Sequence, residues 1–306
     1  IDSHDGHVTV VSDAIPSILK GTPLDIQRVN VVLDRPGFML NPSSCEPMQI
    51  SAQVTSTQGT VASAADRFQV GDCAGLAFIP RFSASTVART SRANGASLDA
   101  KIVIGVKGEA NAHSVFVSLP KQLPSRLTTI QKACLAVVFA ANPTACPVES
   151  LVGSATAVTP LLKDPLVGPA YLVSHGGAGF PDVVIVLQGN GVRFDLVGSI
   201  NISKSGVTST KFASAPDVPI DSFELKLPQG PHSILTSNGS LCAKALVMPT
   251  VITGYNGKQV TQSTRIKVSG CPKAKKAKKH KAKKQKAGKH TAKANKGSVK
   301  AKARRG

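Results

Sequence analysis

Val183–Gly198 reads VVIVLQGNGVRFDLVG, and this stretch decides the fold class. Two runs rich in β-branched residues flank Gly189-Asn190-Gly191, a turn sequence that accepts the positive φ angles of a tight hairpin. Similar runs, separated by Gly, Pro and Asn, recur on both sides. Downstream lie Val207–Ala213, Ser222–Leu227 and a last hairpin, Leu246–Thr253 with Lys258–Val268, turning at Asn256-Gly257. Upstream lie Val152–Thr159, Leu166–Ser174, Leu98–Val106 and Ser114–Leu119. Trp is absent, Tyr occurs twice and Glu only four times, so the composition also favours short strands over charged helices.

The N-terminal third carries the same pattern. Met48–Thr57 alternates, with Met48, Ile50, Ala52 and Val54 on one face and Gln49, Ser51, Gln53 and Thr55 on the other. Gln58-Gly59 turns the chain, Val61–Val70 returns, and Leu76–Phe82 extends the block into an antiparallel meander. His7–Val11 and Leu24–Leu33 predict two earlier strands, the second ending in a turn at Asp34-Arg35-Pro36-Gly37. A single helix is predicted over Ser125–Ala141. Pro124 precedes it, Ser125 serves as N-cap, and Leu127, Ile130, Cys134, Val137 and Val138 form its apolar stripe.

Polar Ser91–Gly95 marks a boundary or a sheet-crossing loop. The expected fold class is therefore all-β: two antiparallel, sandwich-like units of Ig-like or Greek-key type, over 1–95 and 96–271. The larger unit holds the one short helix near 125–141, and a disordered basic tail occupies 272–306. The chain begins with Ile and reads as a mature or trimmed product. It has no apolar run of the length a transmembrane helix needs.

Six cysteines punctuate the body: Cys45, Cys73, Cys134, Cys146, Cys242 and Cys271. The even number and wide spacing, with no CxxC, point to disulfides rather than a zinc or redox site. Fifteen connectivities are possible. Sequential pairing is the simplest, and it places a bridge at the helix exit and another at the root of the tail.

The tail differs from the body in kind. Residues 272–306 hold 14 Lys, 2 Arg and no acidic residue, which is most of the net charge of +20. The rest of the chain has 21 basic and 17 acidic residues. Such a segment cannot bury enough apolar surface to fold alone. Random-coil scaling gives it a reach of roughly 30 Å. Its expected role is polyanion binding through Lys273, Lys275, Lys276, Lys278, Lys279, Lys281, Lys283, Lys284, Lys286, Lys289, Arg304 and Arg305, driven by counterion release. The partner class is an anionic polymer: cell-wall phosphate polymer, acidic lipid head groups or nucleic acid.

No enzymatic motif is present. His175-Gly176-Gly177-Ala178-Gly179 has the glycine content of an oxyanion loop, but no GxSxG elbow accompanies it. Triads assemble in space, so residues such as Ser154, His175 and Asp182 are candidates for a Ser/His/Asp site, and nothing in the sequence favours it. His4 and His7, with Asp2 and Asp5, are flexible and lack further ligands. Glu46, Glu109, Glu149 and Glu224 have no evident partner, and Val192–Asp195 reads as strand surface. No catalytic, cofactor or metal site is expected.

At SLVGSATAVTPLL (Ser150–Leu162), LVGPAYLVSHGGAGFPDVVIVLQGNGVRFDLVGS (Leu166–Ser199) and GCPKAKKAKK (Gly270–Lys279), the chain resembles the C-terminal regions of large predicted secreted proteins of soil actinobacteria. That resemblance implies an extracellular or cell-surface β-rich module at the end of a longer chain, and brings no activity. The tail is similar in composition to the Lys/Ala-rich tails of linker-histone-like and bacterial nucleoid proteins. The leading expectation is a non-enzymatic surface or secreted structural or adhesive module, held to anionic envelope polymers by its tail. The rivals are a nucleic-acid-binding protein using the same tail, and a carbohydrate-binding or hydrolytic β domain. Against the last stands the shortage of Trp and Tyr for stacking on sugar rings.

Overall fold

The first regular structure is a two-residue pair, β1 (Ile18–Leu19) against β2 (Thr22–Pro23), turned by Lys20 and Gly21 at positive φ. The computed structural model describes residues 1–32, 35–36, 39–104, 108–177 and 179–272. The strands predicted at His7–Val11 and Leu24–Leu33 do not form within it. Val10, Val31 and Val32 are 87%, 74% and 83% exposed, and no strand is assigned over 7–11 or 24–32. Alternation specifies which face would be buried, but a strand exists only where a neighbour takes its backbone hydrogen bonds. Asp34 and Gly37 of the predicted turn lie outside the described residues.

β3 (Met48–Thr55) and β4 (Val61–Phe68) form a separate antiparallel ribbon in register Met48↔Phe68 to Thr55↔Val61. Ser56 makes the turn, its hydroxyl accepting from the amides of Gln58 and Thr60. The unbroken register puts Met48, Ile50, Ala52 and Val54 on one face as expected, but Ile50 and Val54 are 67% and 64% exposed, so that face is not covered; the Cys45–Cys73 bridge closes the base of the ribbon. The expected meander stops at these two strands, because the next strand joins a different sheet.

That sheet takes β5 (Arg81–Val87), β6 (Leu98–Val103), β7 (Ala112–Ser118), β8 (Cys134–Leu135), β9 (Leu151–Val158), β10 (Leu166–Ser174), β11 (Asp182–Gly189), β12 (Val192–Ile202), β13 (Thr208–Phe212), β14 (Ser222–Leu227), β15 (Val247–Gly254), β16 (Gln259–Arg265) and β17 (Lys267–Ser269). Its order is β16-β15-β7-β13-β12-β11-β10-β9-β14-β6-β5-β17, with β8 added to β10. β5 and β6 are hydrogen-bonded neighbours, so residue 95 falls in a connection within one sheet. The compact unit runs from Ile1 to Cys271.

The two ends of this order are one strand. β16 pairs with β15, passes the buried Ile266, and continues as β17 against β5. Gln262 of β16 also donates from Nε2 to the Phe82 carbonyl of β5 at 3.0 Å. The sheet thus curls into a nearly closed barrel of about eleven staves, whose edges are largely removed. The fold is all-β, with only two short helices among the described residues.

β11 shows why its sequence is a continuous apolar run. Ile185 is fully buried and packs, with Val183 and Leu187, into the main core; Val184 and Val186 pack on the other face against Tyr171, Val173 and Phe139. Both faces are covered, so alternation disappears. The turn to β12 is the two-residue loop Asn190-Gly191, at φ 52° and 77°, between the paired Gly189 and Val192.

The outer cover of β10 and β11 is where the helix prediction is corrected. Instead of one helix over Ser125–Ala141, the chain forms α1 (Leu127–Ile130), the short β8, then α2 (Ala136–Ala141). Cys134 is fully buried, pairs in parallel with Val173, and is bonded to Cys146. Ser125 does not cap; its amide donates to Thr208 Oγ1 at 3.1 Å. Thr129 donates from Oγ1 to the Ser233 carbonyl at 2.8 Å. The β-branched Thr128, Thr129, Val137 and Val138 give the helix little intrinsic support, and docking on β10 overrides the stripe.

Gly168 of β10 provides a stability test. A Cβ there would lie 1.6 Å from the Val186 carbonyl oxygen, which is backbone and cannot swing away. Gly168→Ala is expected to destabilise the body by about 3 kcal/mol, through strand displacement. Urea unfolding with an unchanged midpoint would contradict this close approach.

Candidate anion-binding surface at the root of the tail

The last hairpin carries the candidate site. β16 and β17 alternate, so buried Ile266 faces the core while Arg265 and Lys267, on either side of it, are exposed. Opposite them runs Leu241–Leu246, whose ends, Leu241 and Leu246, are each 1% exposed. The Ile266 amide donates to the Leu246 carbonyl, tying the two stretches together. Just before Leu241, Ser240 turns the loop, its hydroxyl accepting from the Cys242 amide and its carbonyl from the Ala243 amide. Lys244 is exposed at its tip.

Together these residues enclose an open groove of about 460 Å³ lined by Leu241–Leu246, Arg265–Val268 and Cys271. Lys244, Arg265 and Lys267 bring three positive charges to it. No acidic residue lines it among the described residues, and none of the three cations is in an ion pair there. The Cys242–Cys271 bridge, with Cα atoms 5.7 Å apart, joins the loop to the last residue of the body. Sequence reading did not single out these three cations, because Lys244 lies in a loop with no local signature and only the disulfide and the Ile266–Leu246 hydrogen bond bring it beside Arg265 and Lys267. The tail residues Lys273, Lys275, Lys276, Lys278, Lys279, Lys281, Lys283, Lys284, Lys286, Lys289, Arg304 and Arg305 lie outside the described residues.

All six cysteines are paired in the sequential pattern, Cys45–Cys73, Cys134–Cys146 and Cys242–Cys271. Each closed loop is worth about 3 kcal/mol through restriction of the unfolded chain.

The other candidate residues fall elsewhere. His175 Nε2 lies 3.1 Å from Asp182 Oδ2, but Ser154 stands opposite Pro169, six residues back along β10, or roughly 20 Å away. The triad does not assemble. Asp2, Asp5 and His7 bring their ligand atoms within 4.8 Å of one another in an exposed turn. Their carboxyls already accept local hydrogen bonds. The His4 amide, then that of Asp5, holds Asp2 below the usual carboxylate range; the His7 amide and ring do the same for Asp5. Arg193 and Asp195, neighbours on one face of β12, form a two-pronged pair at 2.8 and 2.6 Å. Glu224 has cross-strand and same-strand partners, Lys101 at 4.0 Å and Lys226 at 3.3 Å.

A polar junction centred on Asp217 has no sequence signature. Its Oδ1 accepts from Ser43 Oγ at 2.6 Å and Asn111 Nδ2 at 2.8 Å, and its Oδ2 from the Ser44 amide at 3.0 Å. Ser43 and Ser44 are buried, so this carboxylate pins the segment leading into the β3–β4 ribbon. Tyr255 beside it donates to the Ala215 carbonyl; burial, reinforced by the Asp217 charge, pushes its phenol above the ordinary value.

No helix among the described residues is long and apolar enough to cross a membrane. No family model, curated protein or solved structure matches the chain.

Proposed function

We propose that the chain is a secreted or cell-surface β module without enzymatic activity, held to an anionic envelope polymer by its basic tail and presenting the barrel outward as a structural or adhesive unit. The observation that carries this reading is the junction at Cys271. An oxidised body, with a cationic groove at its exit, leads directly into a segment of 16 positive charges. Three bridges persist in an oxidising compartment and are rare in the cytosol. A dense run of lysines recognises polyanions by charge. The disulfide ties that run to a folded body.

Two measurements test it. Thiol titration of the purified native protein, denatured without reductant, should find none of the six cysteines free. Six reactive thiols would overturn the extracellular assignment. Retention on purified wall phosphate polymer and on duplex DNA should then be compared at equal phosphate concentration. Strong preference for DNA would replace the envelope reading with the nucleic-acid one.

A further inference from the structure

We infer that the barrel interior is a binding site for a small neutral hydrocarbon group, either a free molecule about the size of a six-membered ring or the end of a longer alkyl chain.

Closure creates the space. Side chains just fill a barrel of about eight strands; eleven staves enclose more. The interior holds a cavity of about 150 Å³. Its wall is apolar nearly throughout, with Ala100, Ile102, Val117, Phe212, Phe223 and Leu225 among the residues facing it. Phe212, Phe223 and Leu225 remain only partly buried although they pack against the main core, whereas Ile185 and Leu172 in that core are fully buried. All three line the cavity. The backbone contributes as well: Gly198 has no Cβ, and one there would lie 2.6 Å from the Phe212 ring.

Four hydroxyls line the wall, those of Ser125, Thr208, Thr210 and Ser214; Thr210 lies part-way along it, and the others mark two ends. Ser125 and Thr208 are buried at one end and satisfy each other, with a hydroxyl–hydroxyl distance of 3.0 Å. Ile234 and Leu235, also buried, close that end. At the other end the lining includes exposed Ser214. The cavity is thus blind at Ser125 and reaches the surface near Ser214. No charged side chain lines it among the described residues, so a charged group inside would be uncompensated. An apolar void of this size offers water few partners and takes up a hydrocarbon. Filling it recovers dispersion contacts that the wall otherwise lacks.

The test uses the full chain and two probes. Toluene represents a free hydrophobe, and 1-dodecanol represents a chain whose neutral head remains at the mouth. At a hundredfold excess over its dissociation constant, a bound probe should raise the thermal midpoint by roughly 5 °C or more. Methyl resonances of Ile102 and Leu225 should shift, while Val184 and Val186 on the outer face of β11 should not. Toluene alone would assign a free-hydrophobe site; dodecanol alone would assign a chain-end site. Ala100→Leu and, nearer the mouth, Ala112→Leu should abolish both responses while leaving the β spectrum intact. Should either variant fail to fold, the methyl shifts in the unsubstituted protein decide. No midpoint rise and no shift with either probe, or equal responses in the folded filled variants, would overturn the inference.

Discussion

Deletion of residues 272–306 is expected to remove nearly all salt-sensitive binding to polyanions. The size of the effect follows from counterion release. If about eight of the 16 tail cations sit on phosphates, affinity falls by about 10⁴ between 50 and 200 mM salt, since six to ten contacts give 10³–10⁵. The truncated chain keeps Lys244, Arg265 and Lys267 in the root groove. Three contacts give a far shallower dependence, under about 100-fold over the same range. The reciprocal change, neutralising those three in the full chain, should reduce the slope of log affinity against log salt by about one per residue engaged. Equal retention of full and truncated chains at every salt concentration would remove the tail from the mechanism. An unchanged slope in the triple variant would leave the tail in place and remove the groove.

The sequence made local matters legible and hid distant ones. Asn190-Gly191 announced the β11–β12 hairpin because the conformation it needs is a property of those two residues. The cysteines left fifteen connectivities open, and the structure takes the simplest, sequential one, in which each bridge spans 12 to 29 residues. Segment 24–32 misled because its pattern resembles a strand, yet no neighbouring strand pairs with it. The stripe at Leu127–Val138 misled for the opposite reason: a neighbour was present, and β10 drew Cys134 into pairing with Val173. Barrel closure was invisible. It depends on Lys267–Ser269 meeting Ser85–Val87, which lie some 180 residues apart in the chain. The root groove was hidden likewise, since its charges converge only once closure and the last disulfide are in place.

The strongest single-residue effect on the body is expected at Asp217, another site made by distant segments. Its carboxylate gathers Ser43, Ser44 and the Asn111 side chain, and the Asn111 backbone N–H also donates to Ser43 Oγ at 2.9 Å. Asp217→Ala removes one acceptor group and leaves three donors unmatched at a part-buried site. Each such bond to a charged group contributes about 1.5–3 kcal/mol, and the losses are not additive, so a net cost of about 4 kcal/mol is reasonable. Asp217→Asn should cost less. It keeps the shape and one acceptor, but turns an amide N–H₂ toward donors. The loss should also be local: hydrogen exchange should accelerate at Ser44 and Asn111, while the β11 amides around Ile185 stay protected. The Cys45–Cys73 bridge closes beside this junction, so it limits how far the freed segment can move and should keep the ribbon's own pairing intact. An alanine variant with unchanged urea midpoint and unchanged exchange at Ser44 would mean that the disulfide, not the carboxylate, holds the ribbon's base to its place in the chain.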